Sequence, residues 1–374
     1  MNSKKLIIIW LATVLIGLLL LGSWVYRIDP YIHYHTPKID KYFYKLDGDY
    51  ERSLNDGISK NFDYDAIITG TSMTENFKSS EMDELFNCTS IKIPYAGSSF
   101  KEINDSLERA VKANPNIKYV VRSVDLGKLF DDKDLMRDEM GNYPFYLYDQ
   151  NPFNDVEYVL NEDVIWDKVY PMTVKSKEGE EPGITSFDQY ASWHKSFNFG
   201  PDAVFEEYTS EGWDTAREIA SSVKPQNVEP NISQNFVSIA KDNPDITFYY
   251  FFTPYSALWW KDYVDAGTLD ELINAQIKTT ELLLECENVK LYSFGDEFDI
   301  TTNLNHYKDP YHYAEWINSF ILEKMKDDEG LLTKENYESH FDEIHSFYKN
   351  FDFTSLLSQE DYEDDDEARL PHSS

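Results

Sequence analysis

The stretch Ala66-Ile67-Ile68-Thr69-Gly70-Thr71-Ser72 gives the clearest indication of the fold. Its apolar residues Ala66-Ile67-Ile68 are predicted to form a short buried strand, because brief apolar runs that end at glycine are typical of parallel sheets. Gly70 allows a tight exit from the strand, and a helix is expected to begin at Ser72 and continue from Met73. The Ser72 hydroxyl would then lie at a strand end, beside backbone N–H groups and the positive end of a helix.

A second motif, Asp309-Pro310-Tyr311-His312, follows about 240 residues later. Asp309 and His312 are three residues apart, which is close enough for the carboxylate to hold the imidazole in one tautomer. Together with Ser72 they supply a nucleophile, a base and an orienting group, the minimum set for acyl transfer through a serine ester. The alternative interpretation is that Ser72 only caps a helix and that His312 is a surface residue at a helix start.

Strand and helix patterns alternate on either side of a long middle segment. Four further strands are predicted: one from Ile91, then Tyr119–Val124, Thr247–Phe252 and Val289–Ser293. Ser99 and Glu102 form a capping-box pattern for the helix that precedes the third strand. Strands separated by helices of this length imply parallel pairing with right-handed crossovers. The expected fold class is a three-layer, flavodoxin-like α/β fold with strand order 2-1-3-4-5.

The middle segment, about residues 131–235, is an insertion rich in aromatic residues. A structureless loop of that length would be unusual, so a subdomain over the carboxyl ends of the strands is expected. Its rings, which include Trp193 and Phe197, are interpreted as a lid or platform on which sugars stack. The alternative is that most of these rings belong to the core.

A second loop over the same strand ends contains Tyr255 and Ser256, which are interpreted as substrate-binding residues, with Trp259 or Trp260 as the lining of a pocket. The alternative is a strand that ends at Pro254 and is followed by tryptophans with an ordinary packing role.

The N-terminal region predicts a membrane anchor. Residues 6–26 are almost wholly apolar and follow Lys4 and Lys5, so about twenty residues match a bilayer span. The lysines favour a cytoplasmic N-terminus and an extracellular remainder. Four regions are expected: an anchor at 1–27, a juxtamembrane segment at 28–58, an α/β domain at 59–350 with its insertion, and an acidic, disordered tail at 351–374.

Charge and cysteine content exclude several classes of function. The chain has 34 basic and 68 acidic residues, a net charge of −34, so nucleic acid is not expected as a partner. Cys88 and Cys286 each precede a strand, and those strands would be the opposite edges of the predicted sheet. Two free thiols are therefore expected, and no metal site or cofactor is predicted.

The two motifs resemble those of the SGNH (GDSL-like) hydrolase family. In that family the serine follows the first strand and an Asp-x-x-His pair precedes the last helix, which matches Ser72, Asp309 and His312. A second family block carries a glycine that helps form the oxyanion hole, and Gly97 takes that position here. The third block normally supplies an asparagine, where this chain has Asp125. A carboxylate there would repel a developing oxyanion unless it were protonated or turned away.

Gly-Thr-Ser in place of Gly-Asp-Ser is similar to membrane-anchored members of bacterial cell-envelope systems, namely the teichoic-acid D-alanyl transfer protein and exopolysaccharide O-acetyltransferase-like proteins. The resemblance implies an extracytoplasmic serine esterase or acyltransferase that acts on O-acyl groups of cell-envelope glycan or teichoic acid. It also implies a membrane-bound O-acyltransferase as a partner. Two alternatives remain: a non-catalytic glycan-binding or assembly protein, and a secreted lipid esterase.

Overall fold

The computed structural model describes residues 3–38, 41–137, 143–210 and 215–360. These residues form two compact units. The first consists of Met1–Asp63 and Asn142–Ser186, and the second of Tyr64–Gly141 and Phe187–Ser374. The expected insertion of residues 131–235 is thus divided between the two units. Of the tail expected to be disordered at 351–374, residues 361–374 lie outside the described residues, whereas Phe353–Ser358 forms a 3-10 helix with Leu356 buried.

The second unit is built on a parallel sheet with the order β2-β1-β3-β4-β5. Its strands are β1 Ala66–Thr69, β2 Ser90–Lys92, β3 Tyr119–Val124, β4 Thr247–Phe252 and β5 Val289–Ser293. Ala66 is paired with Ser90 on one side and with Tyr119 on the other, so β1 is an interior strand. Every residue of β1 is buried, as expected for a strand covered on both faces. The predicted α/β class and strand order are confirmed.

Helices of the second unit pack in two groups. They are α3 Ser79–Phe86, α4 Phe100–Ala113, α7 Pro201–Ser210, α8 Thr215–Ser222, α9 Pro225–Ile232, α10 Ser238–Asp242, α11 Ala257–Asp265, α12 Leu269–Leu283, α13 Phe298–Thr301, α14 Glu315–Lys326 and α15 Tyr337–Asn350. In one group α3 packs on α14, and in the other α12 packs on α9 and α15. The predicted capping box is present, since Ser99 accepts from Glu102 N and Glu102 accepts from Ser99 N.

The first unit is mostly helical. It contains α1 Ser3–Ile28, α2 Glu51–Asn61, α5 Val156–Val159, a π-helical segment Val164–Val169, and α6 Tyr170–Glu178. The helix α1 is long and apolar enough to cross a membrane, with a mean hydropathy of 2.6 over its most apolar window. It becomes buried only near its end, where Val25 and Ile28 pack against the rest of this unit.

The exit from β1 differs from the expected helix. Ser72–Thr74 forms a single 3-10 turn. The side chain of Thr74 donates to Thr71 O at 2.8 Å, which holds the chain in this tight turn. The carbonyls of Glu75 and Phe77 both accept from the buried ammonium of Lys92 on β2. The chain does not continue from this turn as an α-helix, and α3 begins at Ser79.

Candidate active site

The structure brings Ser72, His312 and Asp309 together in the second unit. Ser72 Oγ lies 2.8 Å from His312 Nε2, and His312 Nδ1 lies 2.7 Å from Asp309 Oδ2. Both ring nitrogens of the histidine are therefore in hydrogen-bonding contact, one with the hydroxyl and the other with the carboxylate. In the tautomer that this carboxylate favours, Nδ1 carries the proton and Nε2 can accept one from the serine.

The position of Ser72 depends on Gly70, two residues before it. Gly70 has φ of +151°, and a Cβ there would lie 2.4 Å from Ser123 Oγ and 2.6 Å from Thr74 Cγ2. Only glycine fits this space and this backbone conformation, so the sharp turn after β1 requires it. Ser72 itself is half-buried.

Asp309 is nearly buried and is contacted by two cationic or potentially cationic groups. Burial by itself would raise the pKa of Asp309, but the hydrogen bond and charge of His312, with those of Lys308, lower it below its usual range. Lys308 Nζ lies 2.6 Å from Asp309 Oδ2. The carboxylate therefore stays ionised throughout the neutral range and can stabilise an imidazolium.

The loop that carries the Asp309–His312 pair is held rigidly. Asp309 Oδ1 accepts from the backbone N–H groups of Tyr311 and His312, at 2.9 and 2.8 Å. Ser256 Oγ donates to Pro310 O at 2.8 Å and has no exposed surface. A direct contact of Ser256 with substrate, predicted from its place after β4, does not agree with this burial. The hydroxyl instead fixes the loop between the carboxylate and the base.

Asp125 lies at the end of β3 in a buried network of hydroxyl groups. Its Oδ1 accepts from Thr71 Oγ1 at 2.7 Å and from Tyr255 OH at 3.1 Å, while its Oδ2 accepts from Ser123 Oγ at 2.7 Å. Three donors thus compensate the carboxylate. The contacts join the ends of β1, β3 and β4, and Tyr255 reaches this network rather than a free position in the site.

The backbone N–H groups of Ser72 and Gly97 are the predicted oxyanion donors. Within the described residues, neither Ser72 N–H nor Gly97 N–H donates to a protein acceptor. Gly97 follows β2 with φ of +65°, a left-handed conformation that glycine adopts without strain. Its carbonyl accepts from Arg137 Nη1 at 3.0 Å and from Lys128 Nζ at 3.4 Å. Its role in an oxyanion hole stays a prediction.

Trp193, from the insertion, covers the serine and the histidine. Its Nε1 donates to Ser72 O at 3.3 Å, and its ring meets the His312 ring edge-on, with centroids 5.4 Å apart. Asn76, which is fully buried, fixes this segment because its Oδ1 accepts from Trp193 N and His194 N, both at 3.1 Å. The expectation that the insertion supplies aromatic residues over the strand ends therefore applies to Trp193.

A cavity of about 440 Å³ opens beyond the ends of β3 and β4. Three aromatic side chains, Tyr255, Trp259 and Tyr311, form part of its wall, and Tyr311 is the residue before His312. The other lining residues are Gly127, Lys128, Asp131, Leu135 and Arg137. Burial raises the pKa of Asp131, although the nearby cations oppose that shift. The cavity thus combines flat apolar surfaces with polar groups.

Sequence reasoning missed two residues of the site, Lys308 and Asn76. No role was assigned to Lys308 from the sequence, although it directly precedes Asp309. Asn76 carries no pattern that would distinguish it from an ordinary loop residue. His306, a second histidine close to Asp309 in the sequence, is buried, and the contact with Ser72 is made by His312. Burial lowers the pKa of His306 to about 4.

Comparison with known proteins adds little. No protein-family model matches the chain. No curated protein matches it either. The chain has some likeness to a solved structure from Streptococcus pneumonia, described as a candidate platelet activating factor, with a TM-score of 0.37 and 10% sequence identity. The likeness covers 75% of this chain and 92% of that one. At that TM-score it has no bearing on the function of the present chain.

Proposed function

We propose that this chain is an SGNH-like, membrane-anchored serine esterase or acyltransferase that acts outside the cytoplasm on O-acyl groups of cell-envelope glycan or teichoic acid. The observation that carries the proposal is the 2.8 Å contact between Ser72 Oγ and His312 Nε2. Two residues from opposite ends of the second unit meet in the geometry of a nucleophile and its base, and Asp309 orients that base.

In the first half of the reaction, Ser72 Oγ attacks the ester carbonyl carbon while His312 Nε2 takes the hydroxyl proton. Asp309 holds Nδ1–H and stabilises the imidazolium. The N–H groups of Ser72 and Gly97 are the proposed oxyanion donors, each worth about 3–4 kcal/mol in comparable sites. As the tetrahedral intermediate collapses, the bond to the alcohol oxygen breaks, and this oxygen takes the proton from Nε2.

In the second half, water or a glycan hydroxyl attacks the acyl-serine. His312 removes a proton from the incoming oxygen and returns it to Ser72 Oγ when the ester bond breaks. Hydrolysis and transfer differ only in which oxygen attacks. The aromatic wall of the cavity, with Trp259 and Tyr311, supports a sugar acceptor because flat rings pack on the apolar faces of sugars.

The membrane part of the proposal is supported by α1. Its apolar window is unburied, and Lys4 and Lys5 precede it, which favours a cytoplasmic N-terminus with both units outside. A membrane-bound O-acyltransferase would be the source of the acyl group. This partner is proposed only from the resemblance of the Gly70-Thr71-Ser72 block.

A fluorophosphonate probe tests the proposal, since it reacts with activated serines and needs no knowledge of the substrate. We expect labelling of the detergent-solubilised chain, loss of labelling in Ser72→Ala, and retention in Ser222→Ala, which changes an exposed serine of α8. Absence of labelling between about pH 6 and 9, the range in which a histidine base deprotonates, would contradict an esterase.

The second candidate is a non-catalytic glycan-binding or assembly protein with the same fold. Asp125 favours it, because a carboxylate stands where the resembling family has an oxyanion-hole asparagine. The absence of labelling together with retained glycan binding would support this candidate. If labelling is observed, incubation with an O-acetylated glycan separates the two reactions. Free acetate identifies hydrolysis, and an acylated acceptor identifies transfer.

A further inference from the structure

Exposed apolar side chains are concentrated in the part of the first unit that follows Asn151. Five of them are between 41 and 87% exposed. They are Phe153, Val156, Leu160, Trp166 and Tyr170. This set is called the apolar collar below. Isolated exposed apolar residues are ordinary, but a contiguous group on adjoining helices marks a contact surface.

The apolar collar adjoins α1 at the end of its apolar run. A Cβ on Gly22 would lie 3.4 Å from Val159 Cγ1, so α5 packs closely on this part of α1. Trp24 Nε1 donates to Thr173 Oγ1 of α6 at 2.8 Å. Both contacts lie within the first unit, and both join α1 to the elements that carry the collar.

Their positions along the chain place the collar residues beside these contacts. Val156 lies in α5, and Phe153 and Leu160 flank this short helix, next to Val159, which meets α1. On the other side, Trp166 and Tyr170 are four residues apart, with their rings in edge contact at 6.0 Å. Thr173, the partner of Trp24, is one turn beyond Tyr170.

The charged residues at the two ends of α1 indicate how deep in the bilayer these contacts would lie. The 21 residues between Lys5 and Arg27 span about 32 Å at 1.5 Å per residue, close to the hydrocarbon thickness of a bilayer. Trp24 and Gly22 precede Arg27 by about 5 and 8 Å along the axis. Because α5 and α6 contact Gly22 and Trp24, both helices would enter the bilayer surface to a similar depth. Interfacial helices are buried to about this depth.

We propose that the apolar collar is a second membrane-binding element, which lies in the outer bilayer interface around the end of α1. The proposal rests on the anchor role of α1 and is independent of the serine chemistry. Trp166 and Tyr170 match the aromatic residues that favour this interface. The exposed neighbours Glu157, Asp163 and Asp167 are acidic, so attraction to anionic headgroups does not contribute. Immersion is therefore expected in zwitterionic bilayers.

Spin labels on the full-length chain test this proposal in phosphatidylcholine vesicles. Single cysteines are introduced by Phe153→Cys and Trp166→Cys after replacement of Cys88 and Cys286, with circular dichroism to check the fold. Lys177→Cys, exposed on α6, is the matched aqueous control, and Ala12→Cys reports insertion of α1. We expect the ratio of oxygen to nickel-chelate collisions at the collar positions to exceed that at the control by about threefold or more.

Equal ratios at the collar and control positions, with the Ala12→Cys label immersed, would overturn the collar and leave the anchor. A water-accessible label at Ala12→Cys would overturn both. Protection of the collar that requires a second membrane protein would show a protein-docking surface instead and would also overturn the proposal. A second measurement needs no spin label and keeps the native cysteines in place. Brominated phosphatidylcholine should quench the tryptophan fluorescence of the wild type more than that of Trp166→Phe, and equal quenching would contradict immersion.

Discussion

Lys308 Nζ lies 2.6 Å from Asp309 Oδ2, the same carboxylate oxygen that contacts His312 Nδ1. The ammonium also lies 4.4 Å from the centroid of the Phe197 ring and 5.3 Å from that of Trp193. One cation therefore joins the carboxylate that orients the base to the aromatic residues that cover it. The arrangement assigns Lys308 a positioning role between the Asp309 loop and the insertion.

Replacement of Lys308 by methionine should slow fluorophosphonate labelling of Ser72 about two- to fivefold. The expected loss corresponds to about 0.5–1 kcal/mol, the usual value of a solvent-accessible cation–π contact. Lys308→Arg retains the charge and the aromatic contact and should stay near wild type. The measurement is the second-order labelling rate constant of the three proteins at one pH. Equal rates for Lys308→Met and wild type would show that the cation does not position the site.

The lowered pKa of Asp309 predicts a pH-dependent contribution to stability. A carboxylate whose pKa is lower in the folded state stabilises that state above its unfolded value, about 3.9, and the contribution disappears as the pH falls through the folded value. Asp309→Asn removes the charge but keeps the shape. We expect it to lower the free energy of unfolding by about 1–3 kcal/mol at pH 7.

Urea denaturation of wild type and Asp309→Asn at pH 7, 5 and 3 measures this effect, and the difference should decrease only at the lowest pH. The same substitution should reduce labelling of Ser72 strongly, since loss of the orienting carboxylate costs about 10⁴-fold in a serine-protease triad. A difference in stability that grew toward low pH would contradict the assignment of an ionised, stabilising Asp309.

Much of the fold was predictable because it depends on local patterns. Short buried strands separated by helices indicate a parallel sheet with right-handed crossovers, while the order 2-1-3-4-5 was expected together with the resemblance to the SGNH family. The contact of Ser72 with His312 was expected for a different reason, namely the resemblance of the two motifs to the serine and Asp-x-x-His blocks of the SGNH family.

What sequence reasoning missed depends on contacts between distant residues. The helix expected at Ser72 is a single 3-10 turn, and the carbonyls of Glu75 and Phe77 after it accept from Lys92 of another strand. Ser256 was predicted to bind substrate, but its hydroxyl is buried against Pro310. No local pattern indicates either contact. The division of the insertion between two units likewise depends on tertiary packing that composition does not reveal.

Gly70→Ala should unfold or strongly destabilise the second unit. The new Cβ would overlap Ser123 Oγ and Thr74 Cγ2, and alanine would also be held at φ of +151°. We expect a loss of about 3 kcal/mol or more in the free energy of unfolding, from steric overlap added to backbone strain. Gly267→Ala is the matched control, because its φ is +69° with no atom within 4 Å of the new Cβ.

The control should lose only about 1 kcal/mol, the cost of a left-handed alanine. Thermal unfolding in detergent, followed by circular dichroism, compares the two variants with wild type. If both variants lost the same amount, backbone strain alone would account for the glycine, and the close packing between the ends of β1 and β3 would not matter.

Asp125→Asn separates the catalytic proposal from the non-catalytic alternative. The carboxylate accepts from the hydroxyls of Thr71, Ser123 and Tyr255, which compensate its charge. The amide can keep the bonds to one oxygen, and the Ser123 hydroxyl can rotate to accept from the new NH₂ group. We therefore expect labelling of Ser72 within about threefold of wild type and a loss of stability of about 1 kcal/mol.

Asp125→Ala is the companion variant, because it leaves three buried hydroxyls without their acceptor and should destabilise the unit by about 3 kcal/mol or more. Labelling rates and urea denaturation of both variants separate an effect of the Asp125 charge on the reaction of Ser72 from a loss of folding stability. An increase in labelling of about tenfold or more in Asp125→Asn would mean that the native carboxylate opposes the oxyanion. That result would favour a chain that keeps the triad geometry while its chemistry is suppressed.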